Sequence, residues 1–379
     1  MPNRSGFRVA EIRGIPLYLH PTWLVIFALI TWSLVSHYGP EHPAWSPVQH
    51  WTAGVVSSLL FFASVVFHEF AHSVVAQHYR IRVLSITLFV FGGVASIERE
   101  PSKASQEFNI AVAGPLASGL LGAGFYGIRL LVAGSDMPAA IAFWLERANL
   151  LLAAFNLIPG FPLDGGRVFR AAVWGLTRDF GKATRIAGAS GKLIAYAFIL
   201  GGGWAAFHGQ FNGLWTAFTG WFLLNAAEDS LVQLAMRENL RGLRAADVMS
   251  REVPTFAGQH TLADYSAEVL RTGRRCHLVT TDDRLVGMMN VTALNSVPRE
   301  EWTSHSVQSV MMPRDRILWA APDEPLLGLL ERLLNADINQ MPVVSNDEDG
   351  SAQVVGMVTR DSILRVLQAR SELGRAPVT

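Results

Sequence analysis

The sequence of 379 residues is poor in charge and in cysteine. Asp, Glu, Lys and Arg make up only 16% of it, against about a quarter in an average soluble domain. Half of the residues are hydrophobic, which argues against a wholly soluble protein. The 31 basic and 31 acidic residues balance, so composition does not suggest a nucleic-acid partner. The single cysteine, Cys276, excludes an intramolecular disulfide framework.

Long hydrophobic runs fill the first 228 residues, and beyond residue 237 the sequence turns polar. A helix needs about 20 apolar residues to cross a bilayer. Six runs are candidate spans: 16–37, 53–79, 108–133, 138–158, 191–208 and 213–228. We therefore predict a multi-pass α-helical membrane protein with about six transmembrane helices, in a transmembrane domain over residues 1–230.

Basic residues alternate between the loops that join these spans. Arginines precede the first span and follow the sixth, and both Lys and Arg occur between spans two and three and between spans four and five. The loops at 38–52, 134–137 and 209–212 contain neither residue. Because basic residues near span ends collect on the cytoplasmic side, both termini are predicted to be cytoplasmic, in a protein of the cell membrane.

The segment 85–98, SITLFVFGGVASIE, lies between spans two and three and is apolar and β-branched. Gly92-Gly93 interrupts it in the manner of a hairpin turn. We predict a small membrane-associated β-hairpin here. Two interpretations stay open at this point, a strand pair with a structural role and an edge on which a substrate docks.

The second span contains the H-E-x-x-H pattern, as His68-Glu69-Phe70-Ala71-His72. Residues i and i+4 share one face of a helix, so both imidazoles can bind one zinc ion with Glu69 beside it as a general base. Ionisable groups in a lipid-spanning helix are costly unless they face a cavity or bind something. The pattern therefore predicts an intramembrane zinc site.

Catalytic zinc sites usually have three protein ligands, so the two histidines leave one ligand to be found. Asp164 is the best candidate. Pro159 and Pro162 would end the fourth span, and the Asp-Gly-Gly turn that follows brings a carboxylate back toward the bilayer. Asp-Gly-Gly alone is more often an ordinary turn, and its coupling to H-E-x-x-H strengthens the assignment.

Together, FHEFAH and FNLIPGFPLDGG resemble the motifs of the site-2 protease family of intramembrane zinc metalloproteases. The resemblance covers roughly the first 230 residues. It implies one zinc ion held by His68, His72 and Asp164, with Glu69 as the general base and Asn156 holding the substrate or its oxyanion.

The same resemblance implies the kind of substrate. Enzymes of this family cleave a transmembrane segment of another protein near the cytoplasmic side, in regulated intramembrane proteolysis. The expected partner is a single-span, membrane-tethered regulator, such as an anti-sigma factor or a membrane-tethered pro-form of a transcription factor.

From residue 246 onward, two segments of about 60 residues run in parallel, each in the order helix, strand, turn, strand, helix. Val248-Met249 and Val310-Met311 begin the two copies. The copies resemble a tandem pair of CBS domains, an α/β module predicted to be cytoplasmic. We assign 231–245 to a linker, 246–300 to the first CBS domain, 306–370 to the second and 371–379 to a tail.

CBS pairs often sense an adenine nucleotide, and they often form dimers. The nucleotide pattern of the family is Gly, two apolar residues, Thr or Ser, two further residues and Asp. The second copy has Gly356 and Thr359 with Asp361 one place early, and the first has Asn290 and Ala293 instead. Thr359 and Asp361 are the candidate nucleotide residues, while a structural role or a homodimer is at least as consistent with these departures.

A second class of function stays open, a CBS-regulated ion transporter or channel. A transporter needs a polar path across the bilayer, whereas the polar residues here concentrate around one set of metal ligands. A third possibility is an inactive family member that acts as a scaffold. The presence of His68, Glu69, His72 and Asp164 together argues against it.

Overall fold

In the computed structural model, residues 6–90, 92–282, 284–346 and 352–372 are described. The chain divides into two compact units, Asn3–Leu234 and Ala235–Thr379. Most of the tail expected at 371–379 lies outside the described residues.

Long helices form most of the first unit. In chain order they are α1 (Thr22–Glu41), α2 (Pro47–His78), α3 (Ala104–Leu131), α4 (Asp136–Asn156), α5 (Asp164–Thr177), α6 (Phe180–Phe207) and α7 (Asn212–Leu240). In the described part of the chain, α1 to α4 and α6 are the five helices long and apolar enough to cross a membrane. The sixth predicted span, 213–228, lies in α7, which is not among the five, so the count of six stays a prediction.

The start of α2 follows from local sequence. Pro47 occupies the first turn, where its missing N–H leaves no donor unpaired. The Ser46 side chain accepts a hydrogen bond from the backbone N–H of Gln49, and the Gln49 side chain accepts one from the backbone N–H of Ser46. This reciprocal cap begins a helix of 32 residues, which carries the H-E-x-x-H pattern in its second half.

A four-stranded sheet accompanies the helices, in the order β1 (Phe7–Ile12), β2 (Ile15–Leu19), β3 (Val83–Phe89), β4 (Gly92–Ile97). The outer pairs β1–β2 and β3–β4 are antiparallel, and the central pair β2–β3 is parallel. The sheet packs on α2 and α3 through an apolar cluster formed by Ile15, Ala76, Ile81, Val83, Ile86 and Ile110.

Two expectations for this region are corrected. The predicted span 16–37 begins with strand β2, and α1 starts only at Thr22, because His20-Pro21 separates the strand from a helix that Pro21 can begin. The expected hairpin is half of a larger sheet. Gly92 and Gly93 lie within β4, where they pair with Phe89 and Leu88, and do not form the turn.

The second unit follows the order predicted for the repeats. The first copy contains α8 (Ala245–Val248), β5 (Thr255–Ala257), α9 (Leu262–Thr272), β6 (Cys276–Thr281), β7 (Arg284–Asn290) and α10 (Val291–Leu294). The second contains α11 (Val307–Val310), β8 (Met312–Pro313), α12 (Leu326–Asn335), β9 (Gln340–Asn346), β10 (Ala352–Thr359) and α13 (Arg360–Glu372). Most of the segment assigned to a linker, 231–245, is helical, because α7 continues to Leu240.

The two copies exchange their first segments. Strand β8 of the second copy pairs with β7 of the first, and Ser250 of the first bridges to Met357 in β10 of the second. A Cβ atom at Gly287 would lie 2.5 Å from the Met311 sulfur, and one at Gly356 would lie 2.6 Å from the Met249 sulfur. Met249 therefore packs in the apolar core of the second copy and Met311 in that of the first, while the boundaries 246–300 and 306–370 stay a prediction.

Candidate active site

His68 and His72 lie one turn apart on α2 and are both buried. Their Nε2 atoms are 3.2 Å apart. Nδ1 of His72 donates a hydrogen bond to the carbonyl of Ile110 over 2.6 Å, and Nδ1 of His68 lies 2.9 Å from the Ser118 hydroxyl. Because Nδ1 of each ring is engaged, Nε2 is the atom available to a metal.

Asp164 is the first residue of α5, and it completes a group of three buried side chains that could hold a metal ion. Its Oδ2 atom lies 3.1 Å from Nε2 of His68 and 3.1 Å from Nε2 of His72. Ligand atoms around a tetrahedral zinc ion with bonds of about 2.0–2.1 Å lie about 3.3 Å apart. The triangle of two imidazole nitrogens and one carboxylate oxygen therefore fits zinc in both spacing and chemistry.

The Asp-Gly-Gly turn is explained by close contacts between backbone segments. A Cβ atom at Gly165 would lie 2.3 Å from the carbonyl carbon of Leu157, and one at Gly166 would lie 2.4 Å from that of Gly160. Only glycine therefore lets the first turn of α5 pack against the chain that leaves α4. The Ser190 hydroxyl of α6 also donates a hydrogen bond to the Pro159 carbonyl, over 2.8 Å.

Helix α3 passes directly over the two histidines. A Cβ atom at Gly114 would lie 2.2 Å from Nε2 of His72 and 2.6 Å from Nε2 of His68. Ile110, Gly114 and Ser118 recur every four residues and so share one face of α3. Sequence reasoning missed Ile110 and Ser118 as partners of the histidines, although this spacing of a glycine and a serine was a signal that could have indicated them.

Glu69 is half-buried, and strand β4 runs beside it. A Cβ atom at Gly93 would lie 2.6 Å from Cγ of Glu69 and 3.3 Å from its Oε1. The glycine in β4 thus leaves room for this carboxylate between the strand and α2.

Asn156, the last residue of α4, is half-buried. Its side-chain amide donates a hydrogen bond to the carbonyl of Leu152 in the same helix, over 3.0 Å. Among the described residues, no hydrogen bond joins Asn156 to His68, His72 or Asp164.

Thr359 and Asp361 line a cavity of about 730 Å³ between the two CBS copies. Asn290, which stands in the first copy where the nucleotide pattern has Thr or Ser, lines the same cavity. Four arginines contribute to its wall, namely Arg274, Arg275, Arg316 and Arg360. Arg274 forms an ion pair with Glu252, and Arg360 forms one with Asp337.

A multi-pass helical membrane protein with a buried His-His-Asp group and an H-E-x-x-H helix belongs to the class of membrane zinc metalloproteases. Comparison with known proteins identifies the family. Peptidase family M50 matches residues 56–148 and 128–200, and the CBS domain matches residues 307–369.

Two relatives match nearly the whole chain. The zinc metalloprotease Rip3 of Mycobacterium tuberculosis is 33% identical over 371 residues, which cover 96% of this chain and 93% of Rip3. The zinc metalloprotease sll0528 of Synechocystis is 32% identical over 374 residues, which cover 96% of each chain. A solved site-2 protease from Methanocaldococcus jannaschii is 27% identical, with a TM-score of 0.42, over 60% of this chain and 95% of its own.

The chain therefore belongs to the site-2 protease family, Peptidase family M50. It is a zinc metalloprotease with several membrane helices and a CBS module.

Proposed function

We propose that the protein is an intramembrane endopeptidase that cleaves a transmembrane segment of a membrane-tethered regulatory protein. His68, His72 and Asp164 hold its zinc ion, and Glu69 acts as the general base. The observation that carries the proposal is the triangle of Nε2, Nε2 and Oδ2 atoms with sides of 3.1–3.2 Å. Membership of the site-2 protease family supports cleavage within the membrane.

The chain's own residues divide the work of peptide hydrolysis. When bound, zinc supplies Lewis-acid activation of water and of the scissile carbonyl. Glu69 takes a proton from the attacking water and later gives it to the leaving amine. Asn156 would donate a hydrogen bond to the developing oxyanion through the amide N–H that does not bind the Leu152 carbonyl.

Strand β4 is the proposed docking edge for the substrate. Its partner on one side is β3, and among the described residues no strand pairs with its other side. An extended peptide can add to such an edge through backbone hydrogen bonds. Since Gly93 of β4 lies against Glu69, a segment paired there would bring its peptide bonds close to the general base.

For the CBS module we propose regulation of the protease, through an adenine nucleotide or through a homodimer. Thr359 and Asp361 would contact the ribose. Arg275 and Arg316 line the same cavity. Among the described residues, neither guanidinium group forms a hydrogen bond or an ion pair, and the one bond of Arg275 is made by its backbone carbonyl, which accepts from Val291. Both guanidinium groups are therefore available to phosphate groups. Thermal unfolding of the full protein with AMP or ATP tests this, because a ligand that binds the folded state raises its midpoint. No shift at millimolar nucleotide would leave the dimer as the role of the module.

Cleavage of single-span membrane peptides by the purified zinc-loaded protein tests the proposal. Mass spectrometry of the products should place the cut within the apolar segment. Ion flux into vesicles that contain the protein, without cleavage of any peptide, would favour a CBS-regulated transporter instead.

A further inference from the structure

Glu107 and Arg170 form a buried ion pair that the proposed chemistry does not use. The Glu107 side chain is completely buried, and Arg170 is 6% exposed. Nε of Arg170 donates a hydrogen bond to Oε1 of Glu107 over 2.7 Å, and Nη2 donates to the same oxygen. Among the described residues, the second carboxylate oxygen of Glu107 has no hydrogen-bond partner. Arg170 is thus the group that balances this buried charge.

Two aromatic rings hold the guanidinium group of Arg170 in place. Its central carbon lies 4.8 Å from the ring centre of Phe161 and 4.8 Å from that of Phe180. Arginine attracts ring faces and presents its donors in a rigid plane. Phe161 precedes Asp164 by three residues, and Phe180 begins α6. The contact therefore joins both ends of α5 to one charged group.

The pair connects the two helices that build the metal site. Glu107 lies in the first turn of α3, three residues before Ile110, whose carbonyl accepts the hydrogen bond from His72. Arg170 lies in α5, the helix that begins with Asp164. Helix α3 thus orients the imidazoles and α5 carries the carboxylate, and the ion pair fixes one helix against the other.

Stability alone does not explain a buried pair of this kind, because well-packed apolar residues of similar volume often serve a fold equally well. A directional pair differs from apolar packing in that it defines one register between its helices. Around a metal, partners that orient the ligands change metal affinity by about 10-fold to 100-fold.

We infer that Glu107 and Arg170 are positioning residues, which set the place of Asp164 relative to His68 and His72. The inference rests on the proposed role of these three residues as zinc ligands. Neither Glu107 nor Arg170 contacts the metal or the substrate in this account. They act on the ligands by fixing the position of α5, which carries Asp164, relative to α3.

The test replaces both charges at once, in the double variant Glu107→Leu with Arg170→Met, so that no unpaired charge remains in the interior. Zinc affinity is measured by competition with a chromophoric chelator, and Co²⁺-substituted protein gives an absorption spectrum that reports ligand geometry. We expect an unfolding midpoint near that of the wild type, zinc binding weakened at least about tenfold and a changed Co²⁺ spectrum.

A matched control is available in Arg129 and Glu146, an ion pair between α3 and α4 with 3.1 Å between Nε and Oε2. The double variant Arg129→Met with Glu146→Leu should keep the zinc affinity and the Co²⁺ spectrum of the wild type. If the Glu107 and Arg170 double variant folds and also keeps both, the inference is wrong.

Arg170→Lys covers the case in which the double variant does not fold. It preserves the charge but loses the planar fork, so weaker zinc binding is expected, and wild-type affinity would overturn the inference. Asp164→Ala separates this inference from the proposed function. If that variant binds zinc as tightly as the wild type, the assignment of Asp164 as a ligand fails, whatever the ion-pair variants do.

Discussion

The geometry of the proposed metal site depends on the residues that orient its ligands as well as on the ligands themselves. The sequence indicated that His68, His72 and Asp164 belong together, since H-E-x-x-H and Asp-Gly-Gly are local patterns with a known chemical meaning. The partners of the imidazoles were not predictable in the same way. Ile110 contributes a backbone carbonyl, and any residue at that position has one.

The close packing of Gly165, the residue after Asp164, can be tested by substitution. A Cβ atom in Gly165→Ala would lie 2.3 Å from the backbone of Leu157, so α5 would have to move and carry Asp164 with it. We expect zinc binding at least about tenfold weaker, as for other losses of ligand orientation, measured by chelator competition on protein that elutes as a single folded species.

Gly175→Ala is the control for this substitution. Gly175 lies in the same helix, and the nearest atom to its added Cβ would be 3.9 Å away. Zinc binding should be unchanged, and the helix should gain up to about 1 kcal/mol from replacement of an internal glycine. Equal zinc affinities in the two variants would show that the close packing at Gly165 does not position Asp164.

Among the secondary-structure elements of the first unit, the helices were largely predictable from the sequence and the sheet only partly so. Apolar length identifies α2, α3 and α4 almost directly. Strands β1 and β2 were missed because 15–19 merges with the apolar run of α1, and because the partner of β2 is distant in the sequence, with Leu17 opposite Ile86 of β3. The repeat order of the CBS module was predictable from the sequence, but the exchange of first segments between the copies depends on tertiary pairing.

The contact of strand β4 with Glu69 can be tested by substitution. In Gly93→Ala, a Cβ atom would lie 2.6 Å from Cγ of Glu69 and would displace the carboxylate. A shift of about 1 Å in a catalytic group can lower a rate about 100-fold, so cleavage should fall by that order while zinc content stays unchanged.

Val9→Ala in β1, at the other edge of the sheet, is the control, because the Val9 side chain is 56% exposed. Peptide cleavage and metal analysis on the two variants decide the outcome. A Gly93→Ala enzyme with wild-type turnover would show that β4 does not constrain Glu69.

For the whole molecule, the distribution of Lys and Arg predicts which loops face the cytoplasm. Cys276 is buried, which raises the pKa of its thiol to about 12, so we expect this native cysteine to react slowly with thiol reagents. Ala44→Cys lies in the exposed loop between α1 and α2, and an impermeant maleimide should label it in intact cells. Ser102→Cys, between β4 and α3, should react only after permeabilisation. The opposite pattern would reverse the proposed orientation.

We propose that one chain holds zinc within its membrane helices and uses Glu69 to hydrolyse a peptide bond there. The most direct measurement compares bound zinc and cleavage of a single-span peptide in the wild type, Glu69→Gln and His68→Ala. Glu69→Gln should retain zinc and lose cleavage by about 10²-fold to 10⁴-fold, and His68→Ala should lose both. Normal turnover by Glu69→Gln would show that Glu69 is not the general base.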